Sequence, residues 1–386
     1  KRINMKNFFY TSLGLMSGTS MDGVDVSIIK SDGYDQFSSV FNYYHEFDYE
    51  FYRELTNLRD KISKYEDIKK YSEEITLLEK KFTLFNAKII DEITKKNEIK
   101  IDIIGFHGQT IFHSPIEKIS KQLGDGKLLS QITKKVVVNN FRENDIKNGG
   151  QGAPLTPIFH NLLSKIINKK FNIHYPITFI NIGGITNITQ IVSDNENLNS
   201  NIFAYDIAPG NCLLDQWVRS HTDKKFDENG NLAGRGKVDN LILNQAMDNF
   251  RITNFDKSLD IKDFDISFVK GLSFEDGCAT LTKFTAYLIS EGIKKLELDN
   301  KLISKNYLVC GGGRKNKSLI KEINYLLKNN DLTLQNIDNY DFDGDFIESQ
   351  AFAFLSIRSY LSLPISFPNT TRCKKAISGG IIEKNF

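Results

Sequence analysis

Residues 13–26 read LGLMSGTSMDGVDV. An apolar run ends at Met16, the small and hydroxylated residues Ser17-Gly18-Thr19-Ser20 follow, and Met21 leads into Asp22 and Asp25 at the start of a second apolar segment. Glycine lets a backbone come close to a ligand, and Ser or Thr hydroxyls add donors. A loop of this kind at a strand end can therefore cradle a phosphate on its N–H groups. The same composition also makes a plain turn, so the decision rests on what the rest of the chain repeats.

It repeats twice. ITFINIGGITNITQIV (177–192) is again an apolar strand, a glycine turn at Gly183-Gly184 and a second strand. YLVCGGGRKN (307–316) runs a strand into Gly311-Gly312-Gly313 and then a helix, and three bare glycines also suit a flat group such as adenine. Neither the P-loop spacing nor GxGxxG occurs, which excludes those two nucleotide folds.

Around these loops, FFYTSLGLM, VDVSIIKS and SSVFNYYHEFDY read as strands, and residues 50–98 carry apolar side chains at helical spacing, as a pair of amphipathic helices. IDIIGFHGQT reads as a strand ending in a glycine-bearing turn, and KKVVVNNF as a short strand. Helices are expected after Pro157, over 274–297 and over 346–363. Strands alternating with helices predict an α/β protein of two related domains with mixed sheets. The first spans 1–175 with a C-terminal segment of about 350–386, and the second spans 176–349; the boundary falls near Tyr175-Pro176.

Composition narrows the function. The 386 residues carry 50 Lys and Arg against 48 Asp and Glu, a net charge of +2 that asks for neither nucleic acid nor a membrane surface. The cysteines, Cys212, Cys278, Cys310 and Cys373, are far apart, so neither a disulfide framework nor a zinc site is expected, in keeping with a reducing cytoplasm. No apolar run reaches the roughly 18–20 residues of a membrane span. Met5-Lys6-Asn7 before FFYTSLGLM imitates a short signal peptide, but no A-x-A-like site follows; Met5 is a candidate start.

Three glycine loops in this order resemble the superfamily of sugar kinases, heat-shock chaperones and actin, in which each of two actin-like (ribonuclease H-like) domains carries a phosphate loop and a late loop holds adenosine. MSGTSMDGVDV, GFHGQTIFHSP (105–115), FRENDIKNGGQGAPL (141–155), NIGGITN (181–187), YDIAPGN (205–211), VCGGG (309–313) and ESQAFAFL (348–355) sharpen this to the anhydro-N-acetylmuramic acid kinase family.

That resemblance implies an ATP- and Mg²⁺-dependent enzyme of cell-wall recycling. It opens the 1,6-anhydro bridge of 1,6-anhydro-N-acetylmuramic acid with water and phosphorylates the freed O6, in a nucleotide cleft between the two domains. It also implies a cytoplasmic homodimer. Gly18, Thr19, Ser20, Met21, Asp22, Gly23, Val24 and Asp25, with Gly183, Gly184, Gly311, Gly312 and Gly313, would hold ATP. Asp22 and Asp25 would face its Mg²⁺, since carboxylates repel bare phosphate.

Asp206 would be the general base that deprotonates the attacking water; otherwise it caps the helix beginning near Asn211. His107, Gln109, Arg142, Asp145 and Glu348 are expected to face the sugar. Arg142 suits its lactyl carboxylate, unless it pairs with Asp145 or Glu143. Another sugar kinase of the superfamily, or a nucleotide-driven chaperone or filament protein, are the competing readings. Two departures from the family stand out. Ile207 and Ala208 replace a Thr-Gly pair beside Asp206, and KSLDIKDF (257–264) replaces a KSTGRE-like stretch.

Overall fold

The computed structural model describes residues 8–250, 255, 258–300, 304, 306–328 and 332–386; Met5–Asn7 and Lys257 lie outside them. Among the described residues twelve strands occur: β1 (Tyr10–Ser17), β2 (Gly23–Ser31), β3 (Phe37–Glu46), β4 (Ile103–Ser114), β5 (Ile119–Leu123), β6 (Val136–Asn139), β7 (Ile177–Ile182), β8 (Ile185–Ile191), β9 (Ile202–Pro209), β10 (Asn306–Cys310), β11 (Leu334–Asn336) and β12 (Ile381–Glu383). They form two sheets in two compact units. One unit runs to Lys165 and takes in Phe346–Phe386; the other is Ile166–Asp345. The division falls inside the helix Pro157–Phe171, about ten residues before Tyr175-Pro176.

The two sheets share one plan. In the first, β1 pairs antiparallel with β2 and β2 with β3, while β1 pairs parallel with β4 and β4 with β6. In the second, β7, β8, β9, β10 and β11 repeat these pairings and directions in turn. Helices make the parallel crossovers, as such connections require. Residues 50–98 supply three helices rather than two, Tyr49–Lys61, Tyr65–Lys70 and Ser72–Asn97. The chain from β9 to β10 ends in the helix Phe274–Asn300. β7 is buried at every position, Thr178 and Asn181 included, and four of its six residues are Ile or Phe. Each unit has its own apolar cluster, around Phe51, Phe82 and Phe106 in the first and around Trp217, Ile289 and Ile323 in the second.

The helix Ile347–Tyr360 returns to the first unit and lies against its sheet at very short range. A Cβ on Gly14 would stand 2.0 Å from the Ser349 carbonyl oxygen, and one on Gly105 2.3 Å from that of Phe352. Hydroxyl pairs Ser12–Ser356 and Ser27–Ser349 complete this small-residue contact. β12 then pairs with β6. Among the described residues no helix is long and apolar enough to cross a membrane, and the four cysteines are buried and unlinked.

Candidate active site

The first and second glycine loops occupy the same place in the two sheets, the β1–β2 and β7–β8 turns. In the first, Ser17 Oγ donates to the Gly23 carbonyl (2.8 Å) and to Gln109 Oε1 (2.5 Å), and Gln109 Nε2 donates to the Gly18 carbonyl (3.0 Å). Met21 takes the left-handed conformation (φ 57°) that closes the turn, and Ser20 Oγ donates to Asp22. Gln109 is therefore fully enclosed and braces the first glycine loop. Its amide bonds to Ser17 and Gly18. β4 does not end at Gly108. It kinks there (φ 82°) and continues to Ser114.

In the second unit the Gly210 N–H donates to the Gly184 carbonyl (2.8 Å) and the Asn211 N–H to that of Gly183 (2.7 Å). A Cβ at Gly210 would fall 2.2 Å from the Gly183 oxygen, so the main chains must touch here. The third loop makes a single tight helical turn, Gly312–Lys315. Arg314 is buried beneath it, donating through Nη1 to Asp345 (2.6 Å) and to the Gly311 carbonyl (3.2 Å) and through Nε to Asp338 (3.1 Å).

Each loop also has a glycine that packing does not demand. A Cβ at Gly18, Gly183 or Gly312 would meet no atom closer than 4.0, 3.7 and 3.8 Å respectively. None of the three has a positive φ. Open space over glycine at equivalent turns is what close approach by a ligand requires.

Within the first unit a polar group gathers around Arg142. Arg142 Nε (3.2 Å) and Nη2 (2.8 Å) donate to His107 Nε2, Nη1 donates to the Gly152 carbonyl (2.7 Å), and His107 Nδ1 donates to the Gly108 carbonyl (2.8 Å). This fixes His107 as the neutral Nδ1–H tautomer. Burial, then the Arg142 charge, hold its pKa well below the ordinary value. Glu348 stands in the first turn of Ile347–Tyr360; burial raises its pKa and the Arg142 charge opposes the rise.

His113 joins this group although the sequence reading passed it over. Burial and the Arg142 charge depress its pKa to about 3, and its buried Nε2 has no hydrogen-bond partner. Asp145 does not join. It accepts from the Gly152 N–H (2.7 Å), Ser366 Oγ (2.6 Å) and Thr371 Oγ1 (2.6 Å), so it ties the 148–152 loop to the C-terminal segment. Glu143 pairs with Lys147.

In the second unit Asp206 lies inside β9, partly exposed, and accepts from the Leu259 N–H (2.9 Å). The helix that follows is preceded by Asn211, so Asp206 is no cap. Ile207 and Ala208 are buried in the apolar cluster, with Ile207 beside Gly292 of Phe274–Asn300. The KSLDIKDF stretch touches Asp206 through a main-chain N–H, which its side-chain changes leave in place. Asp22 and Asp25, with Glu46, lie close enough to Tyr44 to raise the pKa of its phenol, an effect to which burial contributes most. Among the described residues no group of three or more His, Cys, Asp or Glu could hold a metal by itself.

Two copies of one mixed-sheet plan, with glycine turns at the same point and a third glycine loop after β10, define a duplicated two-unit α/β protein. The family pattern of anhydro-N-acetylmuramic acid kinase matches residues 10–385. A protein of that name from Pelagibacter ubique (strain HTCC1062) is 57% identical over 383 residues, covering 98% of this chain and 99% of its own. Others from Brucella canis (36% identical; 96% and 97% covered) and Agrobacterium fabrum (35%; 97% and 98%) follow. The chain belongs to the anhydro-N-acetylmuramic acid kinase family, phosphotransferases with an alcohol group as acceptor.

Proposed function

We propose that the chain binds ATP and 1,6-anhydro-N-acetylmuramic acid, opens the anhydro bridge with water and transfers the γ-phosphate to O6. The observation that carries the nucleotide part is the open space over Gly18 and Gly183, at topologically matched turns, and over Gly312 in the loop after β10. Gly18–Asp25 and Gly183–Gly184 hold phosphates, and Gly311–Gly313 holds the adenosine. Mg²⁺ takes one or two carboxylates, with phosphate oxygens and water completing its shell. Asp22 and Asp25, hard oxygen donors at the first loop, fit that demand; the ion neutralises charge on the phosphates.

Asp206 accepts the proton of the water that attacks the anomeric carbon. Arg142, held by neutral His107, binds the lactyl carboxylate, and Glu348 meets a sugar hydroxyl. Phosphoryl transfer then needs mainly positioning and charge neutralisation.

The test incubates the chain with ATP, Mg²⁺ and the anhydro sugar and follows products by mass spectrometry. A product heavier by one phosphate and one water, lost in Asp206→Asn, is expected. Turnover of plain N-acetylmuramic acid but not the anhydro sugar would replace this reading with an ordinary sugar kinase.

A further inference from the structure

Three polar residues form a row across the second sheet. β7 and β8 set Asn181 opposite Asn187, and β8 and β9 set Asn187 opposite Asp206, beside a bulge. Directly opposed residues of antiparallel strands place their Cβ atoms about 5 Å apart on one face. Their neighbours Ile180, Ile182, Ile188 and Ile207 turn the other way, into the apolar cluster.

Both ends of the row are engaged. Asn181 Oδ1 lies 2.4 Å from where a Cβ of Gly311 would be, so Asn181 packs against the third glycine loop. Asp206 accepts from the Leu259 N–H. The middle member is different: Asn187 Oδ1 is buried and has no hydrogen-bond partner. A buried carbonyl oxygen left unpaired carries an uncompensated desolvation penalty, and folding gives no return for it here. It stands between the loops assigned to the nucleotide and the carboxylate assigned to the water.

We propose that Asn187 is a positioning residue for the hydrolytic step, an inference that rests on Asp206 being the base. One proton of the attacking water is held by Asn187 Oδ1 and the other passes to the Asp206 carboxylate. The water oxygen bonds to the anomeric carbon, the C1–O6 bond breaks with its electron pair on O6, and O6 attacks the γ-phosphorus as ADP leaves. With one proton held on each side, the oxygen lone pair points at the anomeric carbon. An uncharged acceptor is favoured, because a second carboxylate at this spacing would raise the pKa of Asp206 and protonate the base at a higher pH.

The unaltered chain, Asn187→Ala, Asn187→Asp and Asp206→Asn are compared for kcat, KM for ATP, melting temperature and pH profile. Asn187→Ala is expected to lower kcat on the anhydro sugar about 100-fold, with KM for ATP and melting temperature unchanged. Asn187→Asp is expected to move the acidic limb of the kcat profile upward by about one pH unit or more. If Asn187→Ala does not fold, the isosteric Asn187→Asp carries the test. Wild-type kcat in Asn187→Ala, a raised KM for ATP at unchanged kcat, or a kcat loss that tracks the melting temperature would each overturn the proposal. No turnover by the unaltered chain overturns the parent reading, and this one with it.

Discussion

The glycine turns β1–β2 and β7–β8 stand on the same strand plan but are fixed by different chemistry. The β1–β2 turn is held by side chains, Ser17 and Gln109, the latter reaching over from the parallel strand β4. The β7–β8 turn is held by main-chain N–H groups of Gly210 and Asn211. The register explains the switch. Ser17 pairs with Gln109 on β4, but Asn181 pairs with Cys310 on β10, and a thiol is a weak donor and acceptor. Where the neighbouring strand offers no amide, the backbone takes over. The first loop is thus sensitive to which side chain sits at 109, and the second to the path of the chain at 210.

Four measurements break or sharpen that contrast. Gly210→Ala forces a Cβ onto the Gly183 oxygen and is expected to cost about 3 kcal/mol or more in chemical denaturation; a fold that tolerates it would show that the second loop is not held by main-chain contact. Gln109→Ala strips the first loop of its brace. A loss of about 2 kcal/mol is expected, together with a raised KM for ATP, and an unchanged KM would detach Gln109 from the nucleotide.

Acid acts on the first unit through His107, His113 and His160, the last two with pKa values near 3. Their folded values lie below the ordinary 6.5. Below pH 6.5 the unfolded chain binds protons that the folded chain refuses, so stability falls as pH drops. Between pH 7 and 5.5 the loss is about 1 kcal/mol per histidine, and His160→Gln should flatten the slope by that amount in melts at the two pH values. Gly18→Ala is expected to change stability least, within about 1 kcal/mol, while raising KM for ATP. A large stability loss would mean that packing, not a ligand, requires this glycine.

Much of this was readable from residue order. The three glycine loops each follow an apolar run, and the helices over 157–171, 274–300 and 347–360 fall where the spacing puts them. The direction of polar residues inside buried strands was not readable. In a strand covered on both faces, as β4 is around Gln109, the apolar run carries no alternation to say which way a polar residue points. Nothing local to Asp145 shows that Ser366 and Thr371, more than 200 positions away, supply its hydrogen bonds. Asn187 and His113 sat inside motifs already singled out, NIGGITN and GFHGQTIFHSP. Only strand register, in one case, and an unpartnered ring nitrogen, in the other, separate them from their neighbours.

The return of Ile347–Tyr360 and β12 to the first sheet sets an order of events at the ribosome. Residues up to Lys165 emerge before the second unit, yet the helix that covers β1 and β4, and the strand that pairs with β6, follow it out of the exit tunnel. At about 5–20 residues per second, the earlier-made sheet waits roughly ten seconds or more with an apolar face open, while the later-made unit between can complete itself. Of the two units, the one begun earlier is the one completed later.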